Sequence, residues 1–430
     1  MNRITVSDSE CNMETTSVWL ASVLQFGLDI GFFKPFKTFR LRMKEVRYTV
    51  YQKLLTVMVS IIMGCQSTKD INEVLGPETL AANMLSMDRF PDQSQINALL
   101  TRTDEESITQ LRDIHHQLFR EHSHSVFSGE EVVADIDASG LLANGKTYEF
   151  AKKGYFSKKK GQSGYQMSAA FIGEHSEAIG LYLDSGNTHC QSRLKDLLAS
   201  IVSKYPEHLR TGKLTVRLDS GYGSAKNIEG LMGIKNLKFM VKAYSTKTAA
   251  NTAKNIAFDD YTQVNGGAWV YELPQMESGL RMILVQVLSE TGELTYTLLY
   301  TNISKKKLSA VEAFHFYNGR QTIEAFFKMA KNTYGIKNLR TRKFYGIYTF
   351  LWMVFMTHNL ITWFKTTKLH GTKLKNMGVK TLVEKCSRVK GFVERTIKGI
   401  QIVIPPLSKL AKLLIDALSE PDYVQLSFLI

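Results

Sequence analysis

The stretch HFYNGRQTIEAFFKMAKNTYGIKNLRTR, His315 to Arg342, sets a single carboxylate, Glu324, among cations. Ile323, Phe326, Phe327 and Ala330 recur at helical spacing without a Pro, which predicts one helix from about Val311 to Thr333 with Gly319 near its start. At about 100° per residue, Tyr317, Arg320, Lys328 and Lys331 fall within roughly 40° of Glu324, on a stripe about 20 Å long. Phe316, Ile323, Phe327 and Ala330 take the opposite face, so the helix is expected to pack. Lys337, Arg340, Arg342 and Lys343 keep the following segment basic. Arg320/Glu324 and Glu324/Lys328 are also the i, i+4 pairs of an ordinary solvated helix face. An acid ringed by cations and one phenol equally suits a phosphodiester substrate.

Upstream, residues to about 125 read as helices: Val46 to Gly64 is strongly apolar, and Ile96, Leu99, Leu100, Ile108, Leu111 and Ile114 recur at helical spacing between Gln93 and His122. In KPFKTFRLRMKEVR, Lys34 to Arg47, Phe36 and Phe39 interleave with basic residues, as in a DNA-contacting surface or a solvated linker. From Glu131 the period changes. Val132, Val133, Ile136 and Ala138 form a first strand; Tyr165 to Ile172 and Ala178 to Leu183 follow, separated by a turn at Gly173 to Glu177. A helix from about Gln191 to Tyr205, a buried strand Leu214 to Leu218, a helix capped by Ser224 and a short strand Phe239 to Val241 complete the run. Three strands, a helix, a strand, a helix and a strand match an α/β, ribonuclease H-like sheet with helices on both faces. Ala243 to Asn302 then reads all-β, and Ile347 to Phe364 reads as a buried apolar helix interrupted by His358 and Asn359.

Three acids occupy positions that such a sheet can gather: Asp137 in the first strand, Asp219 after a later one, and Glu324 on the helix beyond the β-rich segment. Taken singly, a strand-end Asp is an ordinary turn residue. Jointly they supply the hard oxygens that Mg2+ or Mn2+ takes in two-metal phosphoryl transfer. Asp135 and Asp137 alternate with Ile136 and point to the same side. Asp137 lies nearer the strand's C-terminal end and Ser139.

The spacing Tyr-x2-Arg-x3-Glu-x6-Lys at Tyr317, Arg320, Glu324 and Lys331, with Asp-Ala-Ser at 137 to 139 and Leu-Asp-Ser-Gly-Tyr at 218 to 222, resembles DDE insertion-sequence transposases carrying the Tyr-Arg-Glu-Lys (YREK) signature. The resemblance spans roughly residues 130 to 365; Ala138 stands where Gly or Thr is frequent, and Leu218 where Ala or Cys often precedes the second acid. It implies a recombinase that binds the element's terminal inverted repeats, cuts there, and joins the 3′-hydroxyls to target DNA. On that reading Asp137 bridges two Mg2+ or Mn2+ ions, while Asp219 and Glu324 each hold one. In this family the catalytic Asp is followed closely by Ser or Thr, which favours Asp137 and leaves Asp135 to orient its neighbours. Tyr317, Arg320, Lys328 and Lys331 would grip phosphates, Arg as a fork and Lys as a point charge. Trp269 is a candidate for stacking on a base, or a core residue. Two further readings stay open: a nuclease or resolvase that does not join ends, and a catalytically silent DNA-binding derivative.

The expected organisation is an N-terminal helical, DNA-binding region (1–125), a ribonuclease H-like core in two parts (126–243 and 303–365), a β-rich insertion (244–302) and a basic helical C-terminal segment (366–430). That last segment carries twelve Lys or Arg against Glu384 and Glu394 between Lys365 and Lys412. The net charge of +14 and pI near 9.4 call for a polyanionic partner, with double-stranded DNA the default and a homodimer expected on it. Asp8, Glu10 and Glu14 precede the first apolar residues, so no signal or transit peptide is expected, and the chain is placed in the cytoplasm on DNA rather than in a membrane. Cys11, Cys65, Cys190 and Cys386 form no CxxC pair and read as small buried residues in a reducing compartment. The histidines form no zinc set. Ser220-Gly-Tyr-Gly lacks the Lys-Ser/Thr of a phosphate loop. Lys152, Lys153 and Lys158 to Lys160, with Tyr155 and Phe156 between, read as a DNA-tracking hairpin or a solvated one.

Overall fold

The structure, a computed structural model, describes residues 15–418 other than 46, 144, 146, 155, 157–160, 397 and 398. Asp8, Glu10, Cys11, Glu14, Tyr155 and Lys158 to Lys160 lie outside the described residues. The strands are β1 (Thr15–Ser17), β2 (Val132–Leu142), β3 (Lys152–Lys153), β4 (Ser163–Ile172), β5 (Glu177–Ser185), β6 (Leu214–Leu218) and β7 (Lys238–Lys242). They continue with β8 (Thr262–Asn265), β9 (Ala268–Glu272), β10 (Arg281–Leu288), β11 (Leu294–Thr301), β12 (Lys390–Thr396) and β13 (Gly399–Val403). The chain divides into two compact units, one of residues 15–102, 333–335 and 363–418, the other of Thr103–Asn332 and Ile336–Thr362.

The second unit is built on one sheet ordered β3-β4-β2-β6-β7-β11-β10-β9-β8, with β5 paired to the free side of β4. Every residue of β6 is buried, as a central strand covered on both faces requires, and it runs parallel to both β2 and β7. The hairpin turn between β4 and β5 ends at Ser176, one residue earlier than its expected end at Glu177. Glu177 is fully buried in β5, where it accepts from Ser123 Oγ at 2.7 Å and the His124 N–H at 2.8 Å. Strands β8 to β11 do not stand apart: β11 pairs antiparallel with β7, so the segment after Ala243 extends the same sheet. That segment is not all-β, because Thr246–Ala253 is a helix capped by the Ser245 hydroxyl, which accepts from the Thr248 N–H at 3.1 Å.

The helical spacing between Gln93 and His122 is carried by two helices, Gln93–Arg102 and Glu105–His122, the second started by a capping box of Asp104 and Ser107. One more expectation needs correction. The predicted Val311–Thr333 helix is two helices, Ala310–Asn318 and Gln321–Asn332. The apolar run lies in the helix Phe344–Lys368, whose residues to Thr362 belong to this unit. Phe326 stacks on Phe171 at 4.6 Å and meets Phe355 at 5.2 Å. The polar interruption serves the sheet: the Asn359 amide donates to the Ala178 carbonyl at 2.9 Å and accepts from its N–H at 2.8 Å, and His358 Nε2 lies 2.9 Å from the Ser176 carbonyl. Among the described residues no helix is long and apolar enough to cross a membrane.

The first unit packs the helices Val18–Asp29, Val50–Ile62 and Gln93–Arg102 with a core that includes Trp19, Phe32, Phe36, Trp363 and Phe364. It is not purely helical: β1 pairs with β12 and β12 with β13. Glu78, fully buried, fixes this sheet by accepting from Thr16 Oγ1 and the Ser17 N–H, both at 2.8 Å, and by pairing with Lys390. Phe36 and Phe39 are buried, so the aromatics of the Lys34 to Arg47 run belong to the core, while its cations, with Thr38 and Glu45, face outward.

Candidate active site

Parallel pairing of β2 with β6 ends at Ile136 opposite Leu218, so Asp137 and Asp219 are the next residues of two adjacent parallel strands. Asp219 keeps extended geometry (φ −74°, ψ 168°) before the chain turns. The two carboxylates feel each other. Burial first, and then Asp219, push the Asp137 carboxyl up to about 6, against the pull of Arg320. Asp137 Oδ1 accepts from the Ala138 N–H at 2.8 Å, and Oδ2 pairs with Arg320 at 2.9 Å.

Arg320 sits at the break between the two helices, where its N–H donates to the Tyr317 carbonyl at 3.1 Å. Only 5% exposed, it places its guanidinium between Asp137 and Glu324, 3.5 Å from Glu324 Oε1 and 5.8 Å from the Tyr317 ring. Burial works to lower its pKa, but Asp137, Tyr317 and Asp219 outweigh it and hold the guanidinium charged. Tyr317, half-buried, has its phenol raised by burial. Glu324 keeps a side chain 60% exposed on the first turn of the Gln321–Asn332 helix. Two turns further along the same face, Lys331 donates to Ser139 Oγ at 2.7 Å; burial lowers its pKa and Asp137 opposes. Lys328 is exposed.

Asp135 has no exposed surface and is held by Arg217, whose Nε and Nη2 donate to its two oxygens at 2.7 and 2.9 Å, and by Thr322 Oγ1 at 3.1 Å. Burial raises its carboxyl, opposed chiefly by Arg217. Arg217 also donates to the Phe316 carbonyl, tying β6 to the end of the Ala310–Asn318 helix. Arg217 and Thr322 were not among the residues the sequence singles out. The signal was there, since Arg217 is the single charge in the buried strand LTVRL and faces Asp135 in register.

Trp269 lies elsewhere in this unit, on β9, half-buried and 5.7 Å from Phe258, which is 57% exposed. Cys65 and Cys386 are buried as expected. Cys190 is half-buried instead, with Sγ 3.6 Å from the Gly221 carbonyl and its thiol raised by burial and by Asp219.

The oxygens of Asp137, Asp219 and Glu324 are the donor type that Mg2+ or Mn2+ prefers. Among the described residues no three such groups stand close enough to hold one ion, and the Arg320 guanidinium fills the space between two of them. The donor set therefore fits a hard divalent cation in its chemistry, with an arginine in the place of positive charge.

Residues 26–420 match the protein family described as transposase DDE domain group 1. Among solved structures the chain is similar to the protein in "Cryo-EM structure of piggyBac transposase synaptic complex with hairpin DNA", with a TM-score of 0.48 and 11% identity over 86% of this chain and 76% of that one. No curated protein matches the chain.

Proposed function

The chain belongs to the transposase DDE domain group 1 family, and on that premise we propose that it binds the ends of a DNA element, cuts them, and joins the 3′-hydroxyls to target DNA at Asp137, Asp219 and Glu324. The observation that carries this reading is Asp137 on β2 beside Asp219 just past the end of the neighbouring parallel strand β6, with Glu324 linked to Asp137 through one guanidinium. The central order β5-β4-β2-β6-β7, with β2, β6 and β7 parallel, supports a ribonuclease H-like core, and β8 to β11 its β-rich insertion. The Tyr-Arg-Glu-Lys spacing supports the insertion-sequence group.

DDE transposases generally use divalent metal ions. When bound, two such ions supply the charge that activates an attacking oxygen and stabilises a leaving one. Asp137, Asp219 and Glu324 would hold them. For Asp137 Oδ2 to serve, the Arg320 guanidinium must leave it, and it is then available to a phosphate as a forked donor. Lys331, held at Ser139, offers a point charge beside Asp137, and exposed Lys328 lies one turn away. Tyr317 lines the same site. Asp135, bound on both oxygens by Arg217, fixes β2 against the helix end rather than meeting substrate. Trp269 is assigned to stacking on a base, and a homodimer on double-stranded DNA to the assembly that brings two ends together.

Glu324→Gln keeps the shape of the side chain and removes the charge a hard ion demands. Cleavage of an end-bearing duplex in Mg2+ is expected to vanish while end binding measured by gel shift persists. Cutting at the unmutated rate would refute the assignment. In the wild-type chain, cleavage without joined products in a strand-transfer assay would instead make the protein a nuclease or resolvase.

A further inference from the structure

A cavity of about 760 Å³ lies wholly within the first unit, far in sequence from the three acids. Five cations line it, Lys44, Arg47, Lys53, Arg89 and Arg102, against a single carboxylate, Asp92. That carboxylate is already engaged, because Asp92 Oδ1 accepts from Ser94 Oγ at 2.6 Å and from the N–H groups of Ser94 and Gln95 at 2.9 and 3.1 Å. Among the described residues none of the five cations forms an ion pair with an acid.

Lys53 is the decisive member. It is 1% exposed on the Val50–Ile62 helix, and the contact of its ammonium is Met43 Sδ at 4.0 Å, a weak acceptor. Burial depresses its pKa; Glu45 opposes, while Arg102 adds to the depression. Glu45 has Oε1 on the Val50 N–H at 2.8 Å. A buried ammonium with no acid at ion-pair distance is costly, and Arg102 raises the cost against the opposing pull of Glu45. An anion in the cavity would remove both penalties at once.

The size fits a nucleotide better than a bare ion, since ligand cavities run from roughly 300 to 1,000 Å³. Tyr48, Phe90 and Pro91 supply an apolar wall beside the cations. We infer that this cavity binds the phosphates of a nucleotide unit, with Lys53 as the point charge at its floor and the arginines as forked donors at its rim. The nucleotide is either a free nucleoside triphosphate or the phosphorylated end of a nucleic-acid strand; both present the same chemistry. The site does not depend on the cleavage chemistry above.

The test is direct binding to the full chain, without metal, by calorimetry and by thermal shift. The probes are ATP, inorganic triphosphate, adenosine, and a short single strand with and without a 5′-phosphate. ATP and triphosphate are expected to bind with an affinity that falls with salt, and adenosine not to bind. Preference for the 5′-phosphorylated strand over its unphosphorylated form assigns a strand end, whereas binding of ATP alone assigns a free nucleotide. Lys53→Met should raise the melting temperature of the ligand-free chain, because it removes a buried charge, and weaken ATP by about tenfold or more. The exposed Arg89→Gln should weaken ATP in the same sense if Lys53→Met fails to fold. Lys373→Ala, on the basic C-terminal segment, and Glu324→Gln should leave ATP binding unchanged. Equal binding of ATP by wild type, Lys53→Met and Arg89→Gln, equal binding of adenosine, or no saturable binding of any phosphate probe would overturn the inference.

Discussion

Two buried guanidiniums, Arg217 and Arg320, divide the acids of the central sheet between structure and chemistry. Arg217 closes both oxygens of Asp135, so Asp135→Asn leaves a guanidinium 7% exposed without its counter-charge. Breaking such a pair costs about 3–5 kcal/mol. Asp137 is the milder case: burial already pushes its carboxyl towards the neutral form, and its partner Arg320 keeps Glu324 at 3.5 Å, so Asp137→Asn should cost less stability than Asp135→Asn while abolishing cleavage. Urea unfolding of both variants beside a cleavage assay checks this. If Asp137→Asn unfolds first, or still cuts DNA, the roles are exchanged. A third buried cation tests burial alone. Lys204, 2% exposed with one hydrogen bond to Ser200 Oγ at 3.1 Å, has its pKa lowered to about 7 by burial, with Arg112 adding to it. Unfolded, the ammonium returns to about 10.4, so between pH 7 and 10 the unfolded chain holds the extra proton and stability rises with pH. Lys204→Met should flatten that rise and stabilise the chain at pH 7 by roughly 2 kcal/mol or more. Identical pH profiles in thermal denaturation would show that the ammonium is not the titrating group.

Among the elements, the break in the Glu324 helix is where sequence and structure part. Apolar spacing identified both halves, because Ile323, Phe326, Phe327 and Ala330 bury one face, but the interruption has a tertiary cause. A Cβ added at Gly319 would lie 2.4 Å from Arg217 Nη1, which donates to the Phe316 carbonyl while Nε and Nη2 of the same guanidinium are held by Asp135. No local pattern encodes a contact made from residue 217. Strand β6 was legible to the residue because it is short, apolar but for Thr215 and Arg217, and followed by Asp219. The Thr246–Ala253 helix was not, since TKTAANTA carries little apolar periodicity. The β12–β13 hairpin hid in a run of cations, and its pairing with β1 joins residues more than 370 apart in the chain. Asp137 was readable as an acid within the first strand and Asp219 as one at the end of a later strand, while the arginine between Asp137 and Glu324 was read as facing outward. Gly319→Ala must displace Arg217 from its fixed place, and overpacking of this kind costs about 1–3 kcal/mol. Urea denaturation should show that loss, with cleavage falling alongside. A variant as stable and active as wild type would mean that the helix junction shifts freely.

At the scale of the whole molecule, the excess of 54 Lys and Arg over 40 Asp and Glu makes DNA affinity a matter of counterion release, and its salt slope counts the cations that touch phosphates. Each phosphate neutralised on duplex DNA contributes about −0.9 to the slope of log K against log salt. Burial sorts the cations of the Glu324 region before any measurement. Lys328 is exposed and free of ion pairs among the described residues, whereas Arg320 is 5% exposed and paired with Asp137. In metal-free buffer, where that pair holds, Lys328→Ala should make the slope shallower by about 1 and Arg320→Ala should leave it unchanged. With Mg2+ or Mn2+ present, the acids hold ions and the guanidinium is released, so Arg320→Ala should then also flatten the slope. Trp269→Ala gives the uncharged control: stacking on a base is worth roughly 1–3 kcal/mol and releases no counterion, so affinity should drop at every salt concentration with the slope preserved. Titrations of end-bearing duplex over a range of salt, with and without the divalent ion, separate these effects. An Arg320→Ala slope that is already shallow without metal would place the guanidinium on DNA from the outset and break its proposed link to Asp137.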